Sequence, residues 1–162
     1  MIRILLVSGG YDSTLLYQQK KGIIDRFIYF DYGQKAMKME LKTLGELGVP
    51  YEVINLGLLL NKNGFYYGRN LKFFIKLMDS FPDEDLVVYF GNCADDNYPD
   101  NSREYLYRIE KLINDSYPKT LRIICPLENM SKKEITKSVS KAYYCDRGGE
   151  QPCGECHSCQ AV

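Results

Sequence analysis

Short apolar runs alternate with amphipathic stretches along most of the chain. The apolar runs predict five β-strands, at 4–7, 27–30, 51–56, 86–90 and 121–124. Apolar residues at helical spacing predict helices at 13–21, 35–47, 68–80 and 102–114 and a further helix after Ser131, where Glu134 completes a capping box. Because strands alternate with helices, we predict an α/β fold: a doubly wound parallel five-stranded sheet with helices on both faces. The stretch 58–67 has no clear period and is predicted to be a loop.

Polar turns follow most of the predicted strands. They lie at 8–13, 31–34, 92–96 and 125–127. The carboxyl ends of parallel strands share one edge of the sheet, and ligands of such folds bind in a crevice there. We therefore expect these turns to line a single binding crevice.

The turn after the first strand carries the strongest chemical signal. Its sequence is Ser-Gly-Gly-Tyr-Asp-Ser-Thr, and a helical pattern begins at Ser13. Glycines let the backbone approach a ligand closely, and the free N–H groups at a helix start favour a phosphate. The alternative is an ordinary strand-to-helix turn capped by Ser13. The hypothesis of a phosphate site concerns the residues Ser8, Gly9, Gly10, Asp12, Ser13 and Thr14.

Composition narrows the class of protein. A length of 162 residues suits one domain, and 21 basic residues balance 21 acidic ones. Nucleic-acid binding usually requires a basic surface, so we do not expect it here. We also expect no membrane span and no signal peptide, and therefore a cytoplasmic protein.

Four of the six cysteines cluster near the C-terminus in the pattern C-x7-C-x2-C-x2-C. This spacing predicts a structural zinc site in the tail 143–162, because four thiolates close the coordination sphere. Disulfides or free thiols are the alternatives. His157 lies between two of the predicted ligands and is expected not to bind the metal. The predicted ligands are Cys145, Cys153, Cys156 and Cys159.

The Ser-Gly-Gly-x-Asp-Ser stretch resembles the phosphate loop of the PP-loop ATP pyrophosphatases. The resemblance implies that ATP is cleaved between its α- and β-phosphates and that a substrate is adenylated. It also implies that Asp12 lies near the phosphates and the Mg²⁺ that bridges them, as expected for a hard cation.

Further motifs along nearly the whole chain resemble the 7-cyano-7-deazaguanine synthase family of queuosine biosynthesis. They include the cysteine tail and the segments Tyr32-Gly33-Gln34, Gly68-Arg69-Asn70, Tyr98-Pro99-Asp100, Cys125-Pro126-Leu127 and Lys132-Lys133-Glu134. There are three departures from the family pattern. Lys35-Ala36 replaces an Arg-His pair, Arg103 is shifted by one position, and the stretch 59–67 is shorter.

This resemblance implies a ligase that converts 7-carboxy-7-deazaguanine and ammonia to the nitrile through adenylated intermediates, with ATP, Mg²⁺ and Zn²⁺. The implied catalytic residues are Ser8, Asp12, Arg69 and Lys132. The implied substrate-binding residues are Tyr32, Gln34, Arg69, Asn70, Asp95, Asp96, Tyr98 and Asp100.

Several alternatives stay open from the sequence. Arg69 and Lys132 could be exposed residues of a first helical turn, and Asp95-Asp96 an ordinary acidic turn. The protein could instead modify tRNA, attach a deazaguanine to a macromolecule such as tRNA, DNA or protein, or only bind a nucleotide. Homodimer formation is a further expectation.

Overall fold

The computed structural model describes residues 1–57, 68–96 and 98–162. Within them the five predicted strands form one parallel sheet in the order β3-β2-β1-β4-β5. The predicted loop at 58–67 lies outside the described residues. The strands are β1 (Ile2–Leu6), β2 (Arg26–Asp31), β3 (Tyr51–Asn55), β4 (Leu86–Tyr89) and β5 (Leu121–Ile124).

The predicted helices are present, with ends that differ from the prediction by a few residues. The first helix begins at Tyr11 rather than Ser13, because the extended Gly10 precedes its first turn. The helices are α1 (Tyr11–Lys20), α2 (Met37–Glu46), α3 (Arg69–Ser80), α4 (Arg103–Ser116), α5 (Lys132–Ser138) and α6 (His157–Gln160), with a 3-10 turn at Pro99–Asn101.

Both faces of the central strand are covered by helices. Ile4 and Leu6 face a core that includes Phe74 of α3 and Leu106 of α4. Leu5, between them, faces a second core formed with α1, α2 and α5. Alternate side chains of a strand point to opposite faces, so β1 is buried on both sides. The doubly wound arrangement is confirmed.

The strand order positions the crevice. From β1 the chain adds β2 and β3 on one side, and then returns to place β4 and β5 on the other. Such a reversal between neighbouring strands opens a crevice at their carboxyl ends. Here it lies between the turns that follow β1 and β4.

The start of α5 is fixed as predicted. The Ser131 hydroxyl accepts from the Glu134 N–H, and the Glu134 carboxylate accepts from the Ser131 N–H at 2.8 Å. This capping box sets Lys132 at the first position of the helix. None of the helices within the described ranges is long and apolar enough to cross a bilayer.

Candidate functional site

A cavity of about 520 Å³ opens at the carboxyl ends of the strands, and a deeper one of about 230 Å³ adjoins it. Both are lined by the turn after β1, the turn after β2 and the start of α3. The cavities bring together the predicted residues Ser8, Gly10, Asp12, Ser13, Tyr32, Gln34, Arg69, Asn70, Asp95, Asp96, Tyr98, Asp100 and Lys132.

Residues 8–13, here called the nucleotide loop, fold back on themselves. The Ser13 hydroxyl lies 3.2 Å from the Ser8 hydroxyl and donates to the Gly10 carbonyl rather than capping the helix. Gly9 has a φ of +74°, and a Cβ there would lie 3.0 Å from the Glu40 carbonyl oxygen. Only glycine suits this turn. Thr14 is buried behind the loop and does not line either cavity.

Asp12 and Lys132 form an ion pair beside the loop. The Lys132 Nζ lies 2.6 and 2.9 Å from the two Asp12 carboxylate oxygens, and the Lys132 N–H donates to Asp95. Burial raises the pKa of Asp12, and Lys132 offsets only part of that rise. Burial opposes the charge on Lys132, but Asp12 outweighs it and raises the pKa of the ammonium. The lysine is therefore a fixed cation at the cavity, not an exposed first-turn residue.

Gln34 is held inside the turn that follows β2. Its Oε1 accepts from the Tyr32 N–H at 2.9 Å, while its Nε2 donates to the Tyr29 hydroxyl and the Phe30 carbonyl. The Tyr29 hydroxyl in turn donates to a carboxylate oxygen of Glu40 at 2.6 Å. Burial raises the pKa of Glu40, and these donors offset part of the effect.

Arg69 is a cation at the opposite wall. Its guanidinium lies 5.7 Å from the Tyr32 ring centre and 5.8 Å from that of Phe73. No carboxylate of the described residues lies within ion-pair distance of it. Burial disfavours this charge, but Tyr32 and Asp100 outweigh it and raise the pKa of the guanidinium. Arg69 is thus partly buried in the cavity wall, not a solvated helix-start residue.

A buried amide chain connects α3 to the turn after β4. Asn70 donates to Asn101 at 2.6 Å, and Asn101 donates to a carboxylate oxygen of Asp96 at 2.6 Å. Asp96 also accepts from the Tyr98 N–H. These hydrogen bonds fix the carboxylate of Asp96, while Asp95 is exposed at the cavity mouth. Arg103, shifted by one position in the sequence motif, pairs with Glu128 and does not line either cavity.

The four predicted cysteine ligands converge in the tail. Their sulfur atoms lie within 4.8 Å of one another, and all six cysteines are free thiols. Sulfurs around a tetrahedral zinc lie about 3.8 Å apart, so the set fits zinc. Burial opposes ionisation of Cys145, but N–H groups of Cys153 and Arg147 outweigh it and lower the pKa of that thiol to about 6. His157 is outside this group, and its ring contacts that of Tyr98 at 4.9 Å.

The tail 143–162, here called the cysteine tail, also forms a wall of the larger cavity. The Tyr143 N–H donates to the Gly9 carbonyl at 2.8 Å. Gly148, with a φ of +76°, packs so closely that a Cβ would lie 2.1 Å from the Lys35 carbonyl oxygen. Ala36 is buried against the cysteines. The tail therefore touches both the nucleotide loop and the turn after β2, and the small Ala36 leaves room for it.

Two carboxylates at the cavity are absent from the sequence prediction. Asp146 and Glu40 each line both cavities. Glu40 lies on the same face of α2 as the buried Ala36 and Leu44, and a carboxylate on the buried face of an amphipathic helix is a signal that could have identified it. For Asp146 we find no comparable signal.

A comparison with solved structures supports the fold. A solved structure described as a predicted subunit of tRNA methyltransferase from Methanocaldococcus jannaschii matches with a TM-score of 0.56 and 20% identity. The match covers 85% of this chain and 74% of that one. At this identity the likeness supports the fold alone.

Curated relatives share more of the sequence. The 7-cyano-7-deazaguanine synthase of Aquifex aeolicus is 31% identical, and that of Methanobrevibacter smithii is 28% identical. Both alignments cover 96% of this chain, with 92% and 88% of the relatives. They span 202 and 204 positions, more than the 162 residues here, so the relatives carry insertions relative to this chain.

A family model, "Queuosine biosynthesis protein QueC", matches residues 60–161, which is well over half of the chain. The match includes Arg69, Lys132 and all four clustered cysteines. The nucleotide loop lies before it, but the alignments to the curated relatives cover almost the whole chain. The chain belongs to the QueC family of queuosine biosynthesis proteins.

Proposed function

We propose that the protein is an ATP-dependent ligase that converts 7-carboxy-7-deazaguanine and ammonia to 7-cyano-7-deazaguanine, with release of AMP and pyrophosphate. The observation that carries the proposal is one cavity that joins the nucleotide loop, the Asp12–Lys132 pair and the Arg69 cation in a chain of this family. The alternatives, a macromolecular acceptor or mere nucleotide binding, are not favoured by the names of the relatives.

The chemistry requires a better leaving group than oxide. A carboxylate oxygen of the acid attacks the α-phosphorus of ATP, and pyrophosphate leaves. Ammonia then displaces AMP from the mixed anhydride and loses a proton, which gives the amide. The amide oxygen then attacks the α-phosphorus of a second ATP, with release of pyrophosphate and loss of one N–H proton. Departure of AMP with loss of the remaining N–H proton leaves the nitrile.

The nucleotide loop is the proposed phosphate site. Pyrophosphate departure needs its growing negative charge to be neutralised. Ser8 and Ser13 offer hydroxyls there, Gly9 and Gly10 let the backbone come close, and the first N–H groups of α1 point out of the helix. Lys132 supplies a positive charge at the same place. The carboxylates of Asp12, Asp95 and Asp96 would hold Mg²⁺, which would neutralise phosphate charge when bound.

The substrate acid is proposed to bind on the Arg69 side. The planar guanidinium offers two parallel donors for a carboxylate, and Tyr32 and Tyr98 supply ring faces for a planar heterocycle. Hydrogen bonds from Asn70 through Asn101 hold Asp96, which lines the larger cavity together with Asp100, and both would face the heterocycle. Gln34 would act through the shape of its turn, since its amide is already bonded.

The cysteine tail is the proposed zinc site, and it closes one side of the cavity. Four thiolates complete a tetrahedral shell, so the metal would hold the tail in place and not take part in the reaction. Free thiols suit a reducing cytoplasm, which is the proposed location. A homodimer is a further part of the proposal, and sedimentation at several concentrations tests it.

Product analysis tests the reaction. The zinc-loaded protein is incubated with ATP, Mg²⁺, ammonium and the acid, and mass spectrometry should detect the amide first and then the nitrile. Chromatography should detect AMP and pyrophosphate. Glu52→Gln, an exposed change on β3, is the matched control and should react like the wild type. ADP and phosphate as products would contradict PP-loop chemistry, and pyrophosphate release with the acid unchanged would contradict the substrate.

A further inference from the structure

Helix α2, which follows the turn after β2, carries a hydrogen-bond acceptor that the proposed function does not use, the carboxylate of Glu40. Gln34 was expected from the sequence to contact the substrate, but both ends of its amide are bonded within the protein. It has little capacity left for a ligand. Its Nε2 instead points towards Glu40 and lies 3.3 Å from the Oε2 of that residue.

Glu40 has one oxygen engaged and one available. Its Oε2 accepts from the Tyr29 hydroxyl at 2.6 Å and from Gln34. Its Oε1 receives no hydrogen bond from the part of the chain that the structure describes. Tyr29 is almost fully buried, so its hydroxyl anchors the carboxylate to the sheet. The result is a fixed carboxylate that lines both cavities.

The surroundings of Glu40 suit a flat heterocycle. The deeper cavity is lined by Phe30 and Phe73, whose rings stack at 4.4 Å, and by Tyr32. Arg69 lines the same cavity and is its one cationic side chain among the described residues, and the carboxylates of Asp12 and Asp146 line it as well. Apolar ring surface with a few fixed polar groups is typical of small-molecule sites.

We propose that Glu40 is a specificity-determining residue that accepts hydrogen bonds from the amino edge of the substrate's ring, and that Tyr29 and Gln34 position its carboxylate. The inference rests on the proposed function. An ionised carboxylate offers acceptors only. The edge of a guanine-like ring presents two neighbouring donors, the ring N–H and the 2-amino group, and both match it. The adenine edge presents a donor beside an acceptor, and the acceptor would face a carboxylate oxygen.

Calorimetry with matched ligands tests the inference. The ligands are 7-carboxy-7-deazaguanine and its analogue without the 2-amino group, each titrated in the presence of Mg²⁺ and α,β-methylene-ATP. The wild type should bind the parent acid at least about tenfold more tightly than the analogue, since a hydrogen bond to a charged group is involved. In Glu40→Gln the two ligands should bind equally within about twofold. Glu40→Asp, which keeps the charge but shortens its reach, should lose most of the discrimination too.

The comparison of ligands separates recognition from stability. If the role of Glu40 were purely structural, Glu40→Gln would weaken the binding of both ligands to the same extent. The ratio of the two affinities would then stay at its wild-type value, which would overturn the proposal. Glu52→Gln is the matched control and should keep the wild-type ratio. Asp96→Asn should also keep it, and loss of discrimination in that variant instead would assign the amino edge to Asp96.

A parallel titration asks whether Glu40 contacts the nucleotide. The probes are α,β-methylene-ATP and its analogue without the 6-amino group. Glu40→Gln should not change the ratio of the affinities for these two nucleotides. If that ratio changed while the ratio for the two acids did not, Glu40 would contact adenine and the proposal would be overturned. If the wild type neither binds nor converts the acid, the proposed function itself fails. Normal conversion without discrimination contradicts only the inference.

Discussion

The two halves of the cavity are built in different ways. On the β1 side, the hydroxyls of the nucleotide loop contact one another within a few residues, and the one distant side chain that pairs with the loop in the described residues is Lys132, on Asp12. On the β2 side, Tyr29, Gln34 and Glu40 come from a strand, a turn and a helix, and Arg69 reaches Tyr32 from 37 residues away. The first half is a local motif, whereas the second is a tertiary network.

This difference suggests a division of labour. The β1 side concentrates groups that neutralise phosphate charge, and the β2 side presents rings, one cation and one fixed carboxylate to a flat ligand. Variants on the first side should lower turnover, and variants on the second should weaken ligand binding. Each prediction below tests that separation.

Removal of the proposed tail zinc should have the largest effect, because the cysteine tail touches both halves through Gly9 and Lys35. In small zinc domains about 10 kcal/mol or more of metal-binding free energy is folding free energy. Chelation or Cys156→Ser should therefore abolish nearly all activity and expose 143–162 to hydrogen exchange. The exposed Gln160→Ala should change neither. Full activity in a metal-free protein would show that the tail is dispensable.

Asp12→Asn and Ser8→Ala should each lower kcat at least about tenfold, roughly 1.4 kcal/mol of barrier. The reason is that both groups lie in the proposed phosphate site, where Ser8 would donate a hydrogen bond and Asp12 would hold Mg²⁺. The KM for the acid should stay within about twofold of the wild type, as steady-state kinetics would measure. A large rise in that KM with kcat preserved would show that these residues bind the acid, as expected of the β2 side. That result would contradict the division of labour between the two sides.

Arg69→Gln should raise the KM for the acid by about tenfold or more, because a charge-assisted pair to the carboxylate is lost. Arg69→Lys should recover only part of the affinity, since a lysine lacks the planar fork. The KM for ATP should change little in either variant. A fall in kcat with both KM values unchanged would instead move Arg69 to the phosphate side.

Sequence reasoning succeeded where contacts are local. The five strands, the capping box at Ser131 and the four converging cysteines follow from patterns within a few residues. Even there, the first helix begins two residues before the predicted start, because the extended Gly10 precedes its first turn, so Ser13 bonds back to Gly10 rather than capping it.

The β2 side was harder to predict. Gln34 stands in a recognisable motif, but the motif does not reveal that Tyr29, Phe30 and Tyr32 already satisfy its amide. Glu40 shares a helix face with the buried Ala36 and Leu44, which indicates burial, but that spacing does not reveal its partners Tyr29 and Gln34. In the same way, Arg103 lies in a conspicuous motif and yet pairs with Glu128 away from the cavities. Distant partners decide these cases, and spacing along the chain does not record them.

The smallest expected effect concerns the stability of the ligand-free protein as a function of pH. Burial raises the pKa of Glu40 above its ordinary value of 4.5, and the Tyr29 and Gln34 donors offset this only in part. Between the ordinary and the raised pKa, the folded state therefore holds the proton more firmly than the unfolded chain. The stability that the Glu40 carboxyl contributes is therefore present below pH 4.5 and is lost as the pH rises through the raised pKa.

Glu40→Gln removes this contribution while it keeps an acceptor for Tyr29. Thermal unfolding of both proteins across a pH series should show the wild type losing stability relative to the variant as the pH rises through that window. A flat difference, or one of opposite sign, would mean that Arg69 and the neighbouring donors stabilise the carboxylate fully. Binding of the substrate acid should abolish the loss of stability with rising pH in the wild type. The reason is that its ring N–H and 2-amino group favour the ionised form of Glu40.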